Sequence, residues 1–206
     1  MISDTATFPG RLFRYAELGH AQQWMQDGTV ALGRAESYLR TELLPAQQDN
    51  ERQRVFRPDM RRVTMYAGGP GDSPRPLRNV YDLRMTYQLP GYYLLCLSIG
   101  QSPQMLTEWP GYACIQIDDP IAFFHRLDAA MTRQLPNYGF LTGPVTYIAE
   151  SSFPKHPSLQ ELIYTKFERY SYQQEYRVAV LLKNDPTPVD RHLLGLGPLG
   201  DICSIT

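Results

Sequence analysis

Three polar side chains end or interrupt apolar, strand-like segments of this sequence. Arg14 lies within LFRY, Ser98 closes YYLLCLS, and Glu175 lies near the start of QQEYRVAVLL. A guanidinium group binds phosphate through charge-assisted hydrogen bonds, and a carboxylate held in place stabilises positive charge. Each residue also has a simpler interpretation: an outward-facing strand residue, a strand terminator, and a surface partner of Arg177, respectively. Their chemistry therefore depends on whether the fold brings the three together.

The elements that must position these residues combine helix and strand patterns. Early in the chain, residues 11–15 predict a strand, 17–28 a helix that stops at Gly28, and 29–33 a second strand. Later segments predict a helix over 118–135, capped by Asp118 or Asp119, and a helix or helix-to-loop passage over 158–170. Strand patterns dominate the rest of the second half, at 79–89, 92–99, 112–117, 144–149 and 173–182. This order predicts one α+β domain over residues 1–206.

Residues 44–78 show little apolar periodicity and become rich in glycine and proline, which predicts a long loop or insertion. From Glu51 to Arg84 the sequence holds eight arginines and four acidic residues, a local charge of +4. Such a segment is either a solvated surface or a contact for a ligand that carries phosphate, because guanidinium groups bind phosphate bidentately.

Composition and motifs exclude several classes of protein. The formal net charge of −1 gives no reason to expect a nucleic-acid or anionic-membrane partner, and the three cysteines include no CxxC pair. No G-x-G-x-x-G motif follows a predicted strand, and the sequence contains no P-loop, zinc-protease or nucleophile-elbow signature. It shows no secretory pattern and no apolar stretch of the roughly 20 residues that cross a bilayer. We therefore expect a cytoplasmic protein without a structural metal.

Taken together, Arg14, Ser98 and Glu175, with Gln173 two residues before Glu175, resemble the arginine–serine–glutamate arrangement of ADP-ribosyltransferases. In that family the arginine lies on the first strand, the serine ends a middle strand, and the glutamate belongs to a Gln/Glu-x-Glu motif on a late strand. The N-terminal segment LFRYAELGHAQQWMQDGTVALG is similar to the opening of such domains, and KFERYSYQQEYRV resembles a stretch found in a group of bacterial and phage proteins. After the serine, SIG stands where Ser-Thr-Ser is more usual in the family.

The resemblance implies an α+β fold with a split, mixed β-sheet core, short helices and a long arginine-rich insertion at about 44–78. It also implies a transferase in which Glu175, Gln173 and Ser98 are catalytic and cleave the nicotinamide–ribose bond of NAD. This cleavage generates an oxocarbenium-like centre, which a fixed and ionised carboxylate stabilises. Glu175 is the residue that would supply the carboxylate.

Binding roles also follow from the resemblance. Arg14, Tyr15 and Ser98 would contact the cofactor, with Arg14 on its phosphates. Lys166 and Tyr170 lie in the segment that would recognise the acceptor, next to Gln173 on the acceptor side.

The partners implied by the resemblance are NAD as co-substrate, without a metal, and a macromolecular acceptor, which is a protein side chain or a nucleic acid. A bacterial or phage toxin, effector or defence protein of this kind acts in the cytoplasm, its own or that of a target cell, and an inhibitory immunity protein would be a further partner. Two alternatives stay open: a non-enzymatic binding or interaction domain of the same fold, and an NAD glycohydrolase.

Overall fold

A computed structural model describes residues 8–39, 51, 53–59, 61, 65–67, 73, 75–76, 83–135, 137–152, 157–183 and 188–206. The strands are β1 (Leu12–Glu17), β2 (Thr29–Arg34), β3 (Gln53–Phe56), β4 (Tyr66–Ala67), β5 (Arg75–Pro76), β6 (Met85–Gln88), β7 (Tyr93–Ser98), β8 (Tyr112–Ile117), β9 (Tyr138–Pro144), β10 (Thr146–Ile148), β11 (Thr165–Phe167), β12 (Glu175–Leu182), β13 (Arg191–Gly195) and β14 (Cys203–Ile205). The α-helices are α1 (Leu18–Asp27), α2 (Pro103–Glu108), α3 (Pro120–Gln134) and α4 (Leu159–Ile163). In the described part of the chain, 3-10 helices span Ala35–Leu39 and Glu168–Gln173.

One eight-stranded sheet organises the chain, in the order β13-β2-β7-β1-β8-β14, with β12 paired to β7 and β9 paired to β12. The fold is therefore α+β, as the sequence predicts. The prediction of a mixed sheet is wrong in its main part, because every pair in this sheet is antiparallel. Parallel pairing occurs between β10 and β11, which form a separate two-stranded sheet.

The sheet forks at strand β7. One edge of β7 pairs with β12 along its whole length, from Glu175 opposite Ser98 to Val180 opposite Tyr93. The other edge is shared: β2 pairs with its first two residues, and β1 joins only at its end, where Phe13 lies opposite Ser98. Strand β1 pairs with β8 on its other edge along its whole length, and its residues beyond Phe13 do not pair with β7. A gap between β1 and β2 therefore opens beside the middle of β7.

Both faces of the sheet are covered. On one face, the largest hydrophobic cluster packs the strands against α1 and α3, with Trp24, Phe123, Phe124 and Leu127 at its centre. On the other face a second cluster joins Leu94 to α4 and to the β3–β6 pair, through residues that include Phe56, Leu89 and Ile163. The segment before β7 thus contributes to the core.

The structure confirms most elements predicted up to residue 135 outside the segment 44–78. Helix α3 begins at Pro120, and the Asp119 carboxylate caps it by accepting a hydrogen bond from the Ala122 amide at 2.9 Å. The sequence did not predict α2, β13 or β14. The predicted strand 144–149 is in fact the junction of β9 and β10. In the segment 158–170, predicted as a helix or a helix-to-loop passage, the α-helix is confined to Leu159–Ile163. It stops there because Thr165–Phe167 pairs with β10. Among the helices within the described ranges, none is long and apolar enough to span a membrane.

The segment predicted as a loop at 44–78 contains strands β3, β4 and β5 in its described part. Strand β3 pairs with β6 over four residues, which ties the segment back to the chain just before β7. The described arginines between positions 52 and 84 divide into two groups. Arg54 is buried, whereas the other described arginines between positions 52 and 84 are exposed, namely Arg57, Arg61, Arg75 and Arg84. Arg52, Arg62 and Arg78 lie outside the described residues.

A close approach of two glycines joins α1 to the C-terminal segment. Gly28 ends α1 with φ of 64°, and a Cβ atom at this position would lie 1.7 Å from the carbonyl oxygen of Gly197. We predict that Gly28→Ala lowers the free energy of unfolding by about 2–3 kcal/mol, because it combines a left-handed backbone with a steric clash. Gly19→Ala, inside α1 with no neighbour within 4 Å of the added Cβ, is the matched control and should be neutral or stabilising. Urea unfolding measures both, and equal effects of the two substitutions would contradict the proposed role of Gly28.

Candidate active site at the fork of the sheet

A cleft of about 420 Å³ lies at the fork, and its lining includes Arg14, Ser98 and Glu175. Its volume is within the range of about 300–1,000 Å³ that is typical of small-molecule sites. Tyr15, Lys166 and Gln173 also line the cleft. Of the residues singled out from the sequence, Tyr170 alone is not part of the described lining.

The strand register explains why Ser98 and Glu175 meet. They are direct partners across the β7–β12 pair, and Phe13 of β1 is the partner of Ser98 on the other side. Side chains directly opposite one another in an antiparallel pair share a face, with Cβ atoms about 4.5–5.5 Å apart. Ser98 is 4% exposed, and its hydroxyl group makes no hydrogen bond to any part of the chain that the structure describes. It is available as a donor or an acceptor to a ligand.

Arg14 spans the gap between β1 and β2. One of its terminal nitrogens donates a hydrogen bond of 2.7 Å to the carbonyl oxygen of Cys96. This carbonyl lies in the stretch of β7 between the pairing partners of β2 and β1. The side chain of Arg14 is half-buried, and Cys96 provides its hydrogen bond within the described residues. Arg14 thus completes the fork and keeps other N–H groups for a ligand.

The Glu175 carboxylate is buried and held by two cations. Arg177 donates from Nε to Oε1 at 2.7 Å and from a terminal nitrogen to Oε2 at 3.2 Å. The ammonium group of Lys166 lies 2.8 Å from Oε2. A carboxylate has about four lone-pair positions, so these contacts leave one on Oε1. Glu175 therefore has a fixed orientation and retains capacity to accept a further hydrogen bond.

A second buried carboxylate, Glu51, completes this charge cluster. Its two oxygens accept from the terminal nitrogens of Arg177 at 2.8 and 2.9 Å, and Oε2 also accepts from Arg54 at 2.6 Å. Lys166 is 3.9 Å from Glu51. We call Glu51, Arg54, Lys166, Glu175 and Arg177 the buried charge cluster. Three cations and two carboxylates leave it with a formal charge of +1.

The cluster keeps both carboxylates ionised. Burial alone would raise the pKa of Glu175, but the attraction of Arg177 and then of Lys166 outweighs it, so the pKa is well below its usual value. Burial acts on Glu51 in the same way, and the nearby cations, Arg177 above all, lower its pKa to about 2. The opposite effect appears at the Cys96 thiol, which is neutral because burial raises its pKa to about 12.

Lys166 also fixes the amide of Gln173. Its Nζ donates to Gln173 Oε1 at 2.9 Å, and because an ammonium group has no acceptor, the amide oxygen must face the lysine. Gln174, between Gln173 and Glu175, is in the left-handed conformation with φ of 43°, and it joins the 3-10 helix to β12. This turn lets both neighbours of Gln174 line the cleft. Lys166, expected on the acceptor side, is 8% exposed and engaged with Glu175.

The wall of the cleft on the β1 side is aromatic. Tyr15 packs edge-on against Trp109, with ring centroids 6.0 Å apart, and its hydroxyl oxygen accepts from the Ser102 amide at 2.7 Å. Trp109 is 9% exposed, and its indole N–H has no hydrogen-bond partner among the described residues. Tyr170 lies on the 3-10 helix, where its ring is 5.3 Å from Lys166 Nζ. The wall thus presents aromatic surface to the cleft.

Sequence reasoning missed the role of Glu51. Its position in an arginine-rich segment suggested a solvated acid, and the one available signal is the i, i+3 spacing to Arg54. Nothing in a single sequence points to its contact with Arg177, 126 residues later. For Arg177 the alternating pattern of EYRV did indicate a shared face with Glu175, and the structure places both side chains on that face.

Comparison of the chain with known proteins found no matching family model, no matching curated protein and no matching solved structure. Within the described ranges, no group of three or more His, Cys, Asp or Glu side chains is placed to hold a metal ion. The chemistry of the cleft is therefore inferred from its own residues.

The lowered pKa of Glu51 has a consequence for stability in acid. Its folded pKa of about 2 lies below its usual value of 4.5, so its ion pairs stabilise the protein above about pH 4.5 and are lost as the pH falls through about 2. At pH 7 we predict that Glu51→Gln lowers the free energy of unfolding by about 3–5 kcal/mol, because it leaves buried cations without a partner. This difference from the native protein should shrink as the pH falls from 5 to 2.

Urea unfolding at several pH values tests this expectation. Asp201→Asn, which removes an exposed carboxylate from Arg126, is the control and should change stability little at any pH. A stability difference between the native protein and Glu51→Gln that is constant with pH would contradict the assignment.

Proposed function

We propose that this protein is an NAD⁺-consuming ADP-ribosyltransferase that uses the cleft at the fork of the sheet. The observation that carries the proposal is that Arg14, Ser98 and Glu175, distant in sequence, line one cleft. Arg14 is on the first strand, Ser98 ends the central strand β7, and Glu175 begins a late strand. This is the order that the resemblance implies. The fork between β1 and β2 also supports the proposal, because the resemblance implies a sheet that is split.

Each residue suits one part of the substrate. Arg14 has N–H groups available for the diphosphate, to which guanidinium binds strongly. The aromatic wall of Tyr15 and Trp109 offers stacking surface for a planar ring. Ser98 and Glu175 lie side by side, so that one supplies a hydroxyl group and the other a carboxylate to the ribose.

In the proposed reaction, the bond between the ribose C1′ and the nicotinamide nitrogen breaks first. Both electrons leave with nicotinamide, which becomes neutral, and positive charge develops on C1′ and the ring oxygen. The ionised Glu175 carboxylate stabilises that charge, and because the buried cluster fixes it beforehand, little reorganisation is needed during the reaction. The acceptor then donates an electron pair to C1′ and loses a proton to solvent.

The acceptor would approach on the side of Gln173. Lys166 holds the oxygen of this amide, so that the nitrogen faces away from the lysine. Lys166 is proposed here as a residue that holds Gln173 and Glu175, and Tyr170 supports it from the 3-10 helix. A protein side chain and a nucleic acid both remain acceptors to test.

One observation favours a second candidate, a nucleotide-binding domain without turnover. Glu175 is already paired with two cations, and the buried charge cluster is positive overall. Such a charge favours an anionic ligand and weakens the field that would stabilise a cationic transition state. Binding of NAD⁺ without release of nicotinamide would identify this function.

The test is the release of nicotinamide from NAD⁺, measured with and without fractionated cell lysate. We predict that Glu175→Gln lowers the rate per folded molecule by at least about 100-fold, because a neutral amide stabilises little positive charge. Ser98→Ala, which removes only a hydroxyl group that has no partner among the described residues, should lower the rate while the fold is retained. Asp201→Asn, whose carboxylate lies outside the cleft lining, should keep the native rate.

Release that requires an added acceptor supports the transferase, and release of the same rate without one supports a glycohydrolase. Unchanged release in both Glu175→Gln and Ser98→Ala would overturn the assignment of the site.

A further inference from the structure

We propose that Glu51 is a positioning residue of the cleft, which acts on Glu175 through Arg177. No sequence pattern assigns this role, and Glu51 belongs to the segment that the sequence predicts as an insertion. The kinetic part of the proposal rests on the proposed function, whereas its structural part does not.

The hydrogen bonds of Arg177 carry the inference. Arg177 is 0% exposed, and a guanidinium group has five N–H donors. Nε–H and one terminal N–H bind Glu175, two terminal N–H groups bind Glu51, and the fifth binds the Ile163 carbonyl. All five donors are used. The plane of the guanidinium is therefore fixed by both carboxylates, and Arg177 links the orientation of one carboxylate to that of the other.

Glu51 accepts hydrogen bonds from both terminal nitrogens of Arg177, and Glu175 accepts from Nε and from one terminal nitrogen. If Glu51 lost its charge, two buried N–H groups of Arg177 would have only an amide to bind. Within the cluster, Arg177 also contacts Glu175, and Glu51 also contacts Arg54 and Lys166. Rotation of Arg177 toward new acceptors would then turn the Glu175 carboxylate away from its present direction.

Glu51 itself is well anchored, which suits a positioning role. Its backbone carbonyl accepts from the Tyr92 hydroxyl group at 2.7 Å, and Tyr92 is fully buried next to strand β7. Arg54 binds the same carboxylate and also donates to the Leu162 carbonyl at 3.4 Å, at the end of α4. Glu51 thus connects the β3–β6 segment, β7 and α4 to the carboxylate at the cleft.

The direct experiment is ¹⁵N–¹H NMR of the arginine side chains, which needs no substrate. In the native protein we expect separate, slowly exchanging signals from the terminal N–H groups of Arg177, because its hydrogen bonds prevent rotation about the Nε–Cζ bond. The signals are assigned by their loss in Arg177→Lys. In Glu51→Gln and in the milder Glu51→Asp, we expect these signals to broaden or merge. Asp201→Asn should affect the signals of Arg126 and leave those of Arg177 unchanged.

The kinetic arm measures nicotinamide release by the folded fraction, well below the unfolding temperature. We expect Glu51→Asp, which keeps the charge but shortens the side chain, to lower kcat about 10- to 100-fold with little change in KM for NAD⁺, since a misplaced group loses rate more than binding. A Glu51 that served stability alone would lower the folded fraction and leave kcat per folded molecule unchanged. That result, or unaltered Arg177 signals in both Glu51 variants, would overturn the proposal. If the native protein releases no nicotinamide at all, the proposed function fails, and the NMR arm still decides the role of Glu51.

Discussion

The fully buried guanidinium group of Arg177 is the constraint on which the site depends. A cation with no access to water is tolerated only when its charge and all its donors are matched. The chain meets this requirement with Glu175 from the same strand, Glu51 from a distant segment and the Ile163 carbonyl at the end of α4. The hydrogen bonds of the Arg177 side chain thus hold three parts of the fold together around the cleft. The same contacts keep Glu175 ionised and oriented.

The fork in the sheet provides space for the cleft beside this cluster. Because β1 and β2 share one edge of β7, the middle of that edge is left without a strand partner, and Arg14 enters the gap to bind the Cys96 carbonyl. Arg14 bridges this unpaired part of the strand edge. Its charge therefore lies near the end of β7, where Ser98 and Glu175 are opposite each other. Sheet topology and charge pairing thus converge at the same position.

Local patterns in the sequence predicted much of this arrangement. The strand-like segments 92–99, 112–117 and 173–182, and the Asp-Pro start of α3, carry strong local signals, and the structure contains them with small changes at the ends. The position of Arg14 within the first strand, and of Ser98 and Glu175 at strand ends, could also be predicted from the apolar segments beside them. The sequence did not predict the long-range pairings. These are the antiparallel sheet, the short strand that contains Lys166, and above all the contact of Glu51 with Arg177. These depend on which buried groups satisfy one another, and spacing along the chain does not encode that.

We propose above all that Glu175 and Arg14 act on the same ligand from two sides of the fork. A crystal structure of the protein with bound NAD⁺ tests it most directly. We expect the ribose that carries the nicotinamide to lie against Ser98 and Glu175, and the diphosphate to bind Arg14. NAD⁺ bound away from the fork, or bound there with its diphosphate against Glu175, would contradict it.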